Sequence, residues 1–155
     1  MEEYQDFKEF IKLLIDKKVE YLIVGGFAVT FHSREKFTQD IDIWIKKTKS
    51  NARKIFSALK EFGFGNIDLN EEDFLKPGFV LQLGYPPNRI DIMTDLEGIK
   101  FADAYKKSKP GIIFKKLEVR YLSYDDLLKN KQMVGRPKDL FDIEWIKMYN
   151  NKKSR

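Results

Sequence analysis

Apolar residues recur at helical spacing over residues 4 to 17, at Tyr4, Phe7, Phe10, Ile11, Leu14 and Ile15. One apolar stripe at that period predicts an amphipathic helix, and Lys17 and Lys18 suit the negative end of its dipole. The period then changes. Residues 20 to 24 close on an apolar run, Tyr21 to Val24, with the composition of a strand. Gly25 and Gly26 follow, and a glycine pair can end a strand in a tight turn. Phe27 to His32 reads as a short helix leaving that turn, and residues 33 to 37 as a charged loop. From Asp40 to Ile45 polar and apolar residues alternate with a period of two, the mark of a strand.

The second part of the chain continues the alternation of elements. Thr48 or Ser50 can cap a helix over about 51 to 62, with Ile55, Phe56, Leu59 and Phe62 on one face and Gly63 and Gly65 ending it. Residues 66 to 77 read as a loop with one helical turn from Glu71 to Leu75. Phe79 to Leu83 is strand-like, Pro86, Pro87 and Asn88 mark a turn, and Arg89 to Thr94 alternates again. A short helix over 99 to 108 is expected to break at Pro110 and Gly111. Two short strands, 112 to 114 and 117 to 122, suggest a hairpin. Ser123, with an acid three places on, starts a helix from Asp125 to Met133. Gly135 to Pro137 interrupts it, and a final helix over 137 to 149 is expected to turn Leu140, Ile143, Ile146 and Met148 inward. The order predicts one α/β (α+β) domain over residues 1–155, a mixed β-sheet flanked by helices.

Composition narrows the class. The 155 residues are 43% hydrophobic and 34% charged, a globular balance with a core large enough for one domain. There is no cysteine and one histidine, so thiolate and multi-histidine metal sites are excluded. Any metal must be held by carboxylates, which favours Mg²⁺ or Mn²⁺. No signal peptide or transmembrane run is read in the sequence, no membrane partner is expected, and the cytoplasm is the default location. The net charge of +5 suits an anionic partner, but part of it is the basic tail from Lys152 to Arg155.

Candidate chemistry gathers between Tyr21 and Ile45. In a strand, Asp40 and Asp42 share a face while Ile41, Ile43 and Ile45 fill the other. Two such carboxylates repel unless a cation lies between them, and a hard divalent ion resolves this. Upstream, Gly25 and Gly26 allow the backbone to approach a phosphate, with the N–H groups of the next helix turned toward it. The stretch therefore reads as a phosphate cradle followed by a metal-binding carboxylate pair. A strand with two solvent-facing aspartates is the plainer alternative.

Gly25-Gly26, thirteen residues, then Asp40-Ile41-Asp42-Ile43 resembles the signature of the nucleotidyltransferase superfamily that includes DNA polymerase beta. The chain is most similar to its small prokaryotic members, among them relatives of the abortive-infection nucleotidyltransferase toxins. Val24 to Gly26, Ala28, Val29, His32 and Thr38 match their pattern, with Lys36 where an arginine is usual and Ser33 where a glycine is frequent. In the Arg89 to Thr94 segment, Asp91 matches the third carboxylate of the superfamily; the plain alternative is a strand aspartate paired with Arg89 or a lysine. The block from Leu127 through Lys131, Gly135, Arg136, Lys138, Asp139 and Leu140 to Asp142 matches the short helical C-terminal end of the same proteins. There Lys131 and Asp139 or Asp142 stand at positions that complete the site in related toxins, or else form surface salt bridges. His32 would touch phosphate or be structural.

The resemblance covers residues 21–45, 89–94 and 123–146. It implies a nucleotidyltransferase-like sheet and Mg²⁺-dependent transfer of a nucleoside monophosphate from an NTP to an acceptor. Asp40, Asp42 and Asp91 would be catalytic and metal-binding. Gly25, Gly26, Lys36, Thr38, Lys131, Asp139 and Asp142 would meet the nucleotide. The acceptor is left open among RNA, protein and small molecule, a toxin–antitoxin or phage-defence setting is implied, and so is a possible partner protein. An inactive nucleotide-binding or toxin–antitoxin partner module of the same fold is the rival reading. Small-molecule nucleotidylation of the aminoglycoside type is a third, for which no separate acceptor domain is evident.

Overall fold

The computed structural model describes residues 4–35, 38–64, 68–85 and 88–150. Lys36, Gly65, Pro86, Pro87 and the tail from Lys152 to Arg155 lie outside the described residues, so the expectations placed on them find no counterpart here. Helix α1 (Gln5–Asp16) buries Phe7, Phe10, Ile11 and Leu14, as its spacing predicts, and leaves Ile15 at the rim. Strand β1 (Tyr21–Val24) is buried along its whole length. Helix α2 (Gly25–His32) begins at the glycine pair itself, so the pair opens the helix instead of forming a separate turn before it. Strand β2 (Ile41–Ile45) starts one residue after Asp40.

Helix α3 (Lys49–Leu59) is capped by Thr48, whose hydroxyl accepts the Asn51 N–H at 3.2 Å. A wider turn, Lys60–Phe64, follows it, and a 3₁₀ turn covers Glu71–Leu75. Strands β3 (Val80–Leu83) and β4 (Ile90–Met93), helix α4 (Phe101–Lys107), strands β5 (Lys109–Ile113) and β6 (Leu117–Tyr121), and helices α5 (Tyr124–Val134) and α6 (Pro137–Met148) complete the chain. Ser123 caps α5, accepting the Asp126 N–H at 3.2 Å.

The six strands form one mixed sheet in the order β3-β4-β2-β1-β6-β5. β2 runs antiparallel to β1 and parallel to β4, and β5 and β6 form the antiparallel hairpin that the pattern suggests. The core is a continuous apolar cluster from α1 through the central strands to Leu127 and Ile146. Central β1, β2 and β4 carry Leu22, Ile23, Ile41, Ile43, Ile45 and Ile92 fully buried.

Two expectations are corrected. Helix α4 ends at Lys107, ahead of Pro110 as expected, but Pro110 and Gly111 are not a loop before a strand at 112: they lie inside β5, which starts at Lys109. β5 is a sheet edge, where the missing N–H of a proline costs no ladder bond. A Cβ at Gly111 would lie 2.7 Å from the Phe31 ring and 2.9 Å from Tyr121, so the glycine admits two aromatic rings that stack at 4.1 Å. In α6 the inward stripe is also different. Ile143 and Ile146 are buried, but Leu140 and Met148 are 53% and 72% exposed. Asp139 and Asp142 occupy the inner face in their place, because Lys131 of α5 reaches both carboxylates there.

Candidate active site

The sheet register brings the acidic residues together. Along the parallel β2–β4 pair, Ile41 opposes Ile90, Asp42 opposes Asp91 and Ile43 opposes Ile92. The two isoleucine pairs flank the aspartates in the ladder, so the core pattern that aligns the strands also sets two carboxylates side by side. Asp40 stands just before β2 on the same side. All three open into one cleft of about 490 Å³, lined also by Gly26, Thr38, Gln39, Gln82, Arg89, Arg136, Lys138 and Asp142. Hollows of 540 Å³ lie against β5 and beside Ser123, with one carboxylate lining each, Glu118 and Asp125.

Glycine 25 is fixed by close approach. Its φ is +64°, and a Cβ there would lie 2.0 Å from Oδ2 of Asp42. The bare backbone thus lets the start of α2 press against the carboxylate. At Gly26 a Cβ would lie 2.7 Å from the Thr38 methyl, so Thr38 is packed directly on the glycine pair. The Thr38 carbonyl accepts the Tyr4 hydroxyl at 2.9 Å, which ties the loop to α1.

Charge in the cleft is unevenly compensated. Arg89 donates from Nε and Nη2 to the two oxygens of Asp91, at 2.7 and 3.0 Å, and from Nη2 to Asp40 at 3.2 Å. Among the described residues, Oδ1 of Asp40 is buried and finds no hydrogen-bond partner. The Asp42 carboxyl is pushed up from 3.8 to about 6, first by burial, then by the charges of Asp91 and Asp40, with Lys138 and Lys131 opposing. An acidic cluster with an orphaned oxygen and a raised pKa is short of positive charge.

The C-terminal helices contribute a buried ionic network. Lys131 donates to Asp142 at 2.7 Å and lies 3.5 Å from Asp139. Asp139 also receives the backbone N–H of Arg136 at 3.1 Å and its guanidinium at 2.8 Å, capping α6. Burial works to raise the Asp139 pKa, but Arg136 and Lys131 outweigh it and hold the carboxyl below its ordinary range. Lys131 and both of its carboxylate partners are interior: Lys131 is 6% exposed, Asp139 2% and Asp142 1%. Surface salt bridges are therefore the wrong description of this block. Asp142 reaches the cleft wall, whereas Lys131 and Asp139 are not among the residues that line it.

The chain matches, over residues 2–152, the family described as "Nucleotidyltransferase of unknown function (DUF6036)". The chain belongs to that family. No curated protein matches it. Among solved structures this nucleotidyltransferase is similar to TM1012 of Thermotoga maritima, described as a candidate nucleotidyltransferase, at 16% identity and a TM-score of 0.60, covering 92% of this chain and 91% of that one. The lincosamide antibiotic adenylyltransferase LnuA, with lincomycin bound, gives 17% identity and a TM-score of 0.62 over 92% of this chain and 95% of its own. The antibiotic-resistance protein ANT(2'')-Ia, in complex with adenylyl-2''-tobramycin, gives 14% and 0.59 over 92% and 86%. At these identities the likeness is one of fold.

Of the residues singled out in the sequence, this nucleotidyltransferase brings Gly26, Thr38, Asp40, Asp42, Asp91 and Asp142 to one cleft, with Gly25 pressed against Asp42. His32 is elsewhere. Its Nε2 donates to the Leu122 carbonyl at 2.6 Å in the interior, bolting α2 to the end of β6. Burial chiefly lowers its pKa, with Lys109 adding to this against the Leu122 bond. Sequence reasoning gave no site role to Arg136, Lys138, Gln39 and Gln82, and placed Arg89 only as a pairing partner. Arg136 and Lys138 sit inside the matched C-terminal block, so two cations at the start of a helix were the available signal.

The donor set fits a hard divalent cation: three carboxylates, one with an orphaned oxygen. They do not form a ready cage, since no three metal-ligating side chains cluster to that degree among the described residues. Arg89 stands between two of them. No described helix is long and apolar enough to cross a membrane.

Proposed function

We propose that this chain is a metal-dependent nucleotidyltransferase that moves a nucleoside monophosphate from an NTP to an acceptor. The observation that carries the reading is the convergence of Asp40, Asp42 and Asp91 on one open cleft that also holds Arg136 and Lys138. Asp40, Asp42 and Asp91 would hold Mg²⁺ or Mn²⁺, which when bound neutralises phosphate charge and acidifies an attacking hydroxyl. Gly25 and Gly26 present backbone N–H groups at the start of α2 to the triphosphate. Thr38 packs on that cradle, and Lys36 is assigned to the nucleotide by the sequence resemblance alone. Arg136 and Lys138 offset the charge of the departing pyrophosphate, which favours the transition state over the bound substrate. Lys131 and Asp139 do not touch substrate; they hold Asp142 on the cleft wall. Asp91 orients the acceptor hydroxyl. The three intact carboxylates speak against an inactive module of this fold.

The acceptor reading gains from one comparison. LnuA binds lincomycin in a chain of which 95% is covered here, so a fold of this extent holds a small acceptor without an added domain. A small hydroxyl-bearing molecule therefore stands beside RNA and protein as the acceptor, the latter two in a cytoplasmic toxin–antitoxin or phage-defence setting. Calorimetric titration with each NTP and Mg²⁺, on wild type and on Asp40→Ala/Asp42→Ala, tests the site. Metal-dependent binding that disappears in the double variant supports it; absence of binding by folded wild type rejects it. Transfer of label from α-³²P-NTPs to tRNA, to protein or to antibiotics then separates the acceptors.

A further inference from the structure

Arg89 occupies a position that the proposed reaction does not explain. It sits immediately before β4, and its carbonyl accepts the Ile41 N–H at 3.0 Å, so its backbone is pinned to β2. Its side chain, about one quarter exposed, makes a two-pronged contact with Asp91 and a third with Asp40. A guanidinium is planar and cannot lose its charge, so it offers carboxylates what a metal ion offers: fixed positive charge at hydrogen-bond distance. It differs in one respect. It satisfies each oxygen with one directed hydrogen bond, and here Oδ1 of Asp40 is left buried and unpartnered among the described residues.

We propose that Arg89 is a displaceable internal counter-ion: it competes with the divalent cation for Asp40 and Asp91, and its release lets the guanidinium pair with the incoming phosphates. The proposal rests on the metal-dependent reading above. It follows that metal and nucleotide bind cooperatively. A metal ion arriving alone must remove Arg89 from two carboxylates and leave it without an anion. A metal ion arriving with a triphosphate gives the guanidinium a new partner, because Arg136, Lys138 and Arg89 all line the same cleft. Arg89 is thus a positioning residue, setting when the carboxylates become available.

The test is Mn²⁺ binding followed by electron paramagnetic resonance, which counts free ion, on wild type, Arg89→Gln and Arg89→Lys, with and without a non-hydrolysable NTP analogue. Without nucleotide, R89Q is expected to bind Mn²⁺ more tightly than wild type, by a factor in the range of about 5 to 150 typical of coupled sites. R89K, which keeps the charge but not the fork, is expected to fall between them. With the analogue, the gain in Mn²⁺ affinity seen for wild type is expected to shrink in R89Q. A merely structural arginine would weaken metal binding when removed, so equal or weaker Mn²⁺ binding by folded R89Q overturns the proposal. If R89Q does not fold, R89K decides by the same comparison. Failure of wild type and both variants to bind Mn²⁺ with or without the analogue rejects the metal-dependent reading and this proposal together, whereas binding by wild type unimproved in the variants rejects this proposal alone.

Discussion

Replacement of Asp42 by asparagine should stabilise the metal-free protein, and the gain should depend on pH. In the folded chain the Asp42 carboxyl titrates at about 6, against an ordinary value of 3.8. Below pH 3.8 the group is protonated in both folded and unfolded chains and has no effect on stability. Between pH 3.8 and 6 the unfolded chain releases the proton while the folded chain retains it, so stability falls as pH rises. Above pH 6 the full loss persists. A shift of about two units corresponds to about 3 kcal/mol. Asparagine has nearly the same shape and cannot ionise. The difference in unfolding free energy between D42N and wild type should therefore rise by about 3 kcal/mol from pH 3 to pH 7. For a chain of this size that amounts to a melting temperature roughly 6–12 °C higher for the variant at pH 7. The assay is urea or thermal unfolding in EDTA at closely spaced pH values. His32 is common to both proteins and cancels in the difference. A difference curve that stays flat across this range would show that Asp42 is not held in a charge-deficient environment, and the account of the acidic cluster would fail.

Three further outcomes are expected. Lys131→Met leaves Asp139 and Asp142 buried without their ammonium partner and should cost about 3–5 kcal/mol, with partial recovery when Asp142→Asn is added; chemical denaturation measures both. Gly25→Ala places a residue with a Cβ at φ +64°, worth about 1–2 kcal/mol, and drives that Cβ into the Asp42 carboxylate. It should lose nucleotide binding far beyond what its melting temperature accounts for, as calorimetry beside thermal unfolding would show. The single histidine gives one pair of imidazole ring-proton signals in NMR, and their common midpoint should lie below the ordinary 6.5 because His32 is buried. The sign for stability is the reverse of that for Asp42: His32's share is lost as pH falls through 6.5, where the unfolded chain takes up the proton.

The order of elements was legible because each is written in a period the backbone enforces. Helix α1 has its stripe, β2 and β4 their alternation, and α3 and α5 their capping hydroxyls at Thr48 and Ser123. Asp40 and Asp42 were legible as a pair, since a strand period of two fixes which side chains share a face; Asp91 was joined to them only by the resemblance to the nucleotidyltransferases. What failed depended on partners far away in sequence. Pro110 and Gly111 look like a break until β5 is known to be an edge and Gly111 is known to face Phe31 and Tyr121. Leu140 and Met148 look inward until Lys131 is found drawing Asp139 and Asp142 to that side. In the first case a breaker rule and in the second a hydrophobic spacing held locally, and tertiary contacts reversed the outcome. Arg89 is similar. Its pairing with Asp91 at i+2 was foreseeable, but its reach to Asp40, 49 positions away, was not.

The ladder between β2 and β4 has a consequence for how sequences of this kind can change. Asp91 faces Asp42 only because Ile90 and Ile92 lie opposite Ile41 and Ile43. One residue inserted or deleted within β4 would exchange the faces, sending a carboxylate into the apolar interior and an isoleucine into the cleft. Length changes in this strand should therefore be all-or-nothing, removing activity and solubility in one step. Loops that do not line the cleft can vary in length beside it. In an insertion and deletion scan of the gene, the boundary of tolerance would trace the strands that carry the acidic pair.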